Sequence, residues 1–109
     1  MSNAIEDVLA ERARQINQEG WSVDHDDEHD SGDMAAAGAS YALNAADQLH
    51  PYTQGDGGNA QPVFWPWDAQ SWKPKNPRRD LVRAAALLIA EIEKLDRENA
   101  RQENTETIT

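Results

Sequence analysis

Six carboxylates and two imidazoles fall within the ten residues from Asp24 to Asp33, "DHDDEHDSGD", with no Lys or Arg among them. Groups of one charge packed this closely repel, and their pKa values rise unless cations intervene. Two agents could neutralise them: a bound divalent metal, or the basic cluster Lys73, Lys75, Arg78, Arg79 and Arg83, which lies within eleven positions. His25 and His29 stand four apart, as in a zinc-binding helix, but Asp26 occupies the place where a zincin needs Glu, and no clear third ligand follows. Hard oxygen ligands suit Mg²⁺ better. Asp30 and Asp33, one helical turn apart, could present two carboxylates on one face, and the same acids would also complement the dipole of a helix N-terminus.

Three elements are expected to position these groups. Asn3 and Glu6 have capping-box spacing, Ile5, Val8, Leu9 and Ile16 share one helical face, and Gly20 is a stop, which predicts a first helix over about residues 4–18. A second helix, capped by Ser31 or Asp30, carries a small-residue stripe of Met34, Ala35, Ala39, Ala42, Leu43, Ala46 and Leu49 and ends near His50-Pro51. Such a stripe lets another helix come close. All five prolines lie between Pro51 and Pro77, together with the turn sequence "QGDGGN" and three of the four tryptophans, so 51–76 reads as a long structured aromatic loop. Asn76 then caps and Pro77 opens a third helix over about 77–98, where Leu81, Ala85, Leu88, Ile92 and Leu95 recur at helical spacing and Val82 and Ile89 widen the stripe. The polar residues 99–109 are expected to fray.

The fold class is therefore all-α: one domain over 1–98, a small bundle of three main helices with a Trp/Pro-rich loop between the second and third. Helix 3 carries more apolar surface than one Ala-rich and one short helix readily cover, which predicts a homodimer or larger assembly. Twenty acidic against ten basic residues give a net charge of -10. That balance disfavours direct nucleic-acid binding and suits a metal cation or a basic protein surface. With no cysteine, thiolate sites and disulfides are excluded. The N-terminal stretch lacks the apolar core of a signal peptide and no run approaches the ~20 apolar residues of a membrane span, so a cytoplasmic protein without membrane contact is expected.

Trp65, Trp67 and Trp72 are spaced too irregularly for one helix or strand face, so each indole needs its own pocket. Either all three plug the core, or at least one lines a pocket beside Lys73, Lys75 and Arg79. A planar base would stack there while the cations meet its phosphates.

The order of "ERARQINQEGW" (Glu11 to Trp21), an acidic turn into "DSGDMAAA" (Asp30 to Ala37) and "RRDLVRAAALLIAEIEKLDR" (Arg78 to Arg97) resembles small phage and prophage proteins related to the all-α MazG-like nucleoside triphosphate pyrophosphohydrolases. The resemblance covers roughly residues 10–50 and 77–97. It implies a Mg²⁺ site in which Asp30 and Asp33 match the paired carboxylates of the family's first signature and Asp80 the first acid of the later helix, with Glu28 or Asp27 assisting. It also implies a nucleotide bound by Lys75 or Arg79 at the phosphates and by Trp65 or Trp67 at the base. The chain departs from the family where His29 replaces the first Glu of the signature and Arg83 stands where a second later acid is expected. The functional expectation is a MazG-like nucleotide-binding protein, with Mg²⁺-dependent pyrophosphohydrolase activity if the acids suffice. The alternative is a non-catalytic acidic phage protein of anti-defence or DNA-mimic type, in the host cytoplasm, that sequesters a nucleotide signal or occupies a basic surface of a host protein.

Overall fold

A computed structural model of the chain describes residues 3–17, 32–50 and 65–108. Among the described residues it forms a small all-α bundle of three helices: α1 (Ala4–Asn17), α2 (Asp33–Leu49) and α3 (Pro77–Ile108), with a short 3-10 turn at Ala69–Ser71 ahead of α3. Both N-terminal caps foreseen for α1 and α3 are made. Asn3 Oδ1 accepts from the Glu6 amide at 2.8 Å, and Asn76 Oδ1 accepts from the Arg79 amide at 2.9 Å, with Pro77 in the first helical position.

The start of α2 is built differently from expectation. Its N-cap is Gly32 at φ 97°, a left-handed conformation that glycine adopts without steric cost, and this residue has no side chain with which to cap it. Instead Glu91, reaching across from α3, accepts from the amides of Gly32 (2.8 Å) and Ala35 (3.2 Å) through Oε1. Ser31 and Asp30, expected as caps, lie outside the described residues.

Both α1 and α2 pack on α3. The α2–α3 pair is antiparallel, since Gly32 meets Glu91 at one end while Asn44 meets Asp80 at the other. Midway, a Cβ on Gly38 would lie 3.0 Å from the Ala84 carbonyl oxygen and 3.4 Å from Leu87 Cβ, so the two backbones are as close as a missing side chain permits. The core is set by this approach: Met34, Ala37 and Tyr41 of α2 close against Ala84, Leu87 and Ala90 of α3, with Trp65 sealing one end.

The buried faces differ from those the apolar spacing predicted. On α2 the inward line is Met34, Ala37, Gly38, Tyr41 and Ala45, whereas Ala39 and Leu49 are exposed. On α3, Leu81, Leu88, Ile92 and Leu95 all face outward, with Ile92 56% exposed, because the close contact selects the alanine side of the helix. On α1 the buried residues are Glu11, Arg12 and Gln15, while Ile5 (74%) and Leu9 (58%) are exposed. Past residue 98, where the polar sequence predicts fraying, α3 continues to Ile108, as a segment without Gly or Pro can when an already formed helix propagates into it. No helix of the described residues is long and apolar enough to cross a membrane.

Substituting Gly38 by Ala should gain about 1 kcal/mol of helix propensity yet lower stability by a net ~1–2 kcal/mol, because the backbone oxygen of Ala84 cannot retreat. Thermal melting of Gly38→Ala checks this, and a raised melting temperature would show that the two helices can separate at little cost.

Candidate functional site

The polar side of α1, the middle of α2, the start of α3 and the tryptophan segment converge on one cleft of about 180 Å³. Its aromatic wall is a cluster. Tyr41 stacks on Trp72 (centroids 4.8 Å, planes 26° apart) and meets Trp65 edge-on at 5.5 Å, and Trp65 meets Trp67 edge-on at 5.4 Å. The tryptophan segment holds this shape through Asp68, whose carbonyl oxygen accepts from Trp65 Nε1 (3.0 Å) and Ser71 Oγ (2.8 Å) and whose carboxylate caps the 3-10 turn.

Facing the rings are cations. The Arg83 guanidinium lies 5.4 Å above the Tyr41 ring and donates through Nη1 to the Lys73 carbonyl at 2.5 Å, which ties α3 to the tryptophan segment. Lys73 and Arg14 complete the positive rim. The cleft therefore pairs flat π-surfaces with the cations Lys73 and Arg83 and with an Arg14 already bonded to the Glu11 carboxylate that also lines it, a combination that suits a planar ring carrying anionic groups.

Glu11 fixes the α1 side. Its buried carboxylate accepts from Arg14 Nε and Nη2 (both 2.8 Å) and from Arg79 Nη2 (2.6 Å). Burial by itself pushes the Glu11 carboxyl up, but the hydrogen bonds and charges of Arg14 and Arg79 outweigh it and hold the pKa below the ordinary carboxylate value. Arg78 pairs with Asp7 at 2.8 Å, so two cations of the cluster at 73–83 find their partners on α1.

The residues singled out from the sequence divide accordingly. Trp65 is buried in the core cluster, whereas Trp67 is half-buried at the cleft. Trp65 therefore builds the wall, and Trp67 is the more open of the two rings. Arg79 is engaged with Glu11, and Lys75 is exposed and enters the network through its backbone amide, which donates to Asp80 Oδ1 at 2.9 Å.

Asp80 is fully buried and also accepts from Asn44 Nδ2 through Oδ2 at 3.4 Å. Asp33 is half-buried at the opposite end of the antiparallel pair, eleven residues and about 16 Å of helix from Asn44. The structure thus separates Asp33 from Asp80, and the two cannot share one ion as the sequence led us to expect. Asp30 and Glu28 lie outside the described residues. Among the described residues no three His, Asp or Glu side chains gather as metal ligands.

Sequence reasoning missed Glu11, Arg14, Gln15 and Tyr41, and read Arg83 as a member of the basic cluster and as a displaced acid but not as a cleft residue. The available signal was the run Glu11, Arg12, Arg14 and Gln15, whose polar side chains at one-turn spacing on a short helix are costly to bury unless they serve one another. The chain matches no protein family, no curated protein and no solved structure in comparisons with each.

Replacing Glu11 by Gln should cost about 2 kcal/mol at neutral pH, since two arginines lose a charged acceptor. Because the folded pKa is depressed, the contribution is present above the unfolded carboxylate pKa and is lost as pH falls through the lower folded value. Urea titrations of both proteins from pH 7 down to pH 3 should therefore show the gap closing at the acid end. A gap independent of pH would assign the loss to shape, not charge.

Proposed function

We propose that this chain is a nucleotide-binding protein of the MazG-like kind, and that the nucleotide enters the cleft between α1, Tyr41, Trp67 and Arg83. The carrying observation is the juxtaposition of the half-buried indole of Trp67 with the cations Lys73 and Arg83 around one concavity, beside the Arg14–Glu11 pair. A base stacked on the indole would leave its phosphates at the positive rim, and Lys73, exposed beside the cleft, would meet them as a point charge.

The Mg²⁺ centre implied by the family resemblance does not fit on Asp30, Asp33, Glu28 and Asp80 together. Asp80 is enclosed and receives a backbone amide and an asparagine amide, far from Asp33. The cleft accordingly supports binding and sequestration of a nucleotide over its hydrolysis, and Arg83 in place of an acid favours the same reading. The rival reading, an acidic protein that occupies a basic surface of a host protein, draws on the net charge of -10.

On the outer side of α3, the exposed Leu81, Leu88, Ile92 and Leu95 together with the half-buried Ala85 repeat with spacings of four and three, the heptad pattern of a helix that packs against another helix along a seam. A second copy of α3 offers the matching seam, so the proposed occupant is another copy of this chain related by a twofold axis.

Two measurements test these readings. Nucleoside triphosphates and diphosphates, with and without Mg²⁺, should raise the melting temperature and quench tryptophan fluorescence; a ligand at 100 times its Kd adds about 2.7 kcal/mol of stability. Trp67→Ala should abolish that response at a stability cost of only about 1–2 kcal/mol, whereas Trp65→Ala should cost ~3–5 kcal/mol as a core truncation. Protein unmoved by every nucleotide refutes nucleotide binding and leaves the protein-surface reading, while release of pyrophosphate would make it an enzyme. Light scattering should show a dimer that Leu88→Glu converts to monomer; wild-type monomer at tens of micromolar, on the order used in such assays, excludes the seam.

A further inference from the structure

Gln15 Oε1 and Arg83 Nε, which belong to two residues that line the cleft, are buried and have no hydrogen-bond partner among the described residues. Their identities as acceptor and donor are fixed by what surrounds them. The other half of the Gln15 amide, Nε2, donates to Glu11 Oε2 at 3.2 Å, and a carboxylate held ionised by two arginines can only accept. The amide therefore cannot be turned over, and Oε1 is left as the acceptor. Arg83 spends Nη1 on the Lys73 carbonyl and rests its face against Tyr41, which leaves the Nε edge unmet.

A buried donor and a buried acceptor left without partners are each destabilising, and a ligand that meets them recovers that loss. Both side chains line the same cleft, on different helices, and both are held in place by other bonds. Such a pair is complementary to a planar group that carries an acceptor and a donor on one edge, which is the constitution of a nucleobase. The cleft volume of about 180 Å³ is below the ~300–1,000 Å³ of sites that enclose a whole drug-sized ligand, so one ring system fits inside and the phosphates stay at the rim.

We propose that Gln15 and Arg83 are the specificity-determining residues of the cleft, reading the polar edge of a base that Trp67 stacks. The inference rests on the nucleotide-binding reading above and adds that the base, not the phosphate chain, is the recognised part.

The test compares calorimetric affinities for the four common nucleoside triphosphates with that for inorganic tripolyphosphate, in the wild type, Gln15→Met and Arg83→Lys. The methionine keeps the side-chain length without the acceptor, and the lysine keeps the positive charge without the Nε edge. Wild type should prefer one nucleotide over tripolyphosphate by tenfold or more, and each variant should lose about tenfold for that nucleotide while tripolyphosphate binding changes by less than about twofold. If Gln15→Met fails to fold, Arg83→Lys alone decides. Equal losses for nucleotide and tripolyphosphate, or no loss for either, overturn the base-reading role, as does a wild type that binds tripolyphosphate as tightly as every nucleotide. That last result leaves anion binding in the cleft intact, whereas a wild type that binds none of these ligands removes the nucleotide reading and this inference with it.

Discussion

Gly38 lets the backbones of α2 and α3 approach until a single methyl group would collide with a carbonyl, and the register of the pair follows from that contact. With Gly38 against Ala84, Asn44 falls opposite Asp80, Glu91 falls opposite the first turn of α2, and Tyr41 is turned toward the tryptophan segment. The apolar cluster between the two helices is then built of small residues, apart from Met34, Tyr41 and Leu87. Large apolar side chains are left on the outside of α3. A core of this kind is narrow, and Trp65 compensates by filling the space that alanines leave at one end.

The second organising feature is electrostatic. α1 docks with its polar side inward, and the docking is tolerable because the charges it buries are met: Glu11 lies between Arg14 and Arg79, and Arg12 reaches Glu93 at 3.0 Å. Burying a charged network gains little net stability compared with burying leucines, but it orients donors and acceptors rigidly. The geometry of the cleft depends on this, since the amide of Gln15 has a defined direction only because Glu11 is ionised and held.

Helix existence was legible in the sequence where local chemistry decides it. The caps at Asn3 and Asn76 and Pro77 at the start of α3 are short-range signals, and they mark the helix starts to within a residue. Which face turns inward was not legible, because that depends on the neighbour. The spacing of Leu81, Leu88, Ile92 and Leu95 identifies a helix correctly but cannot state that an Ala-lined partner will choose the other side. The same limit applies to the site. Trp65 and Trp67 could be picked out as aromatics among prolines, whereas Gln15, Tyr41 and Arg83 come from three helices and meet only once the register is set. Asp33 and Asp80 were paired by analogy of motif, and the antiparallel arrangement places them at opposite ends.

The cap that Glu91 provides has a bearing on how the protein assembles itself. Fifty-nine residues separate the Gly32 amide from the carboxylate that satisfies it, so the first turn of α2 borrows its stabilisation from a helix synthesised well after it. An isolated α2 segment, rich in alanine but lacking a capping side chain of its own at Gly32, would begin poorly in water. In a nascent chain emerging from the ribosome the first turn of this helix is therefore weakly held until α3 has followed it, which couples the ordering of the two helices. In native-state hydrogen exchange, Gly32 and Ala35 would then report opening of the whole α2–α3 pair and not fraying of one terminus.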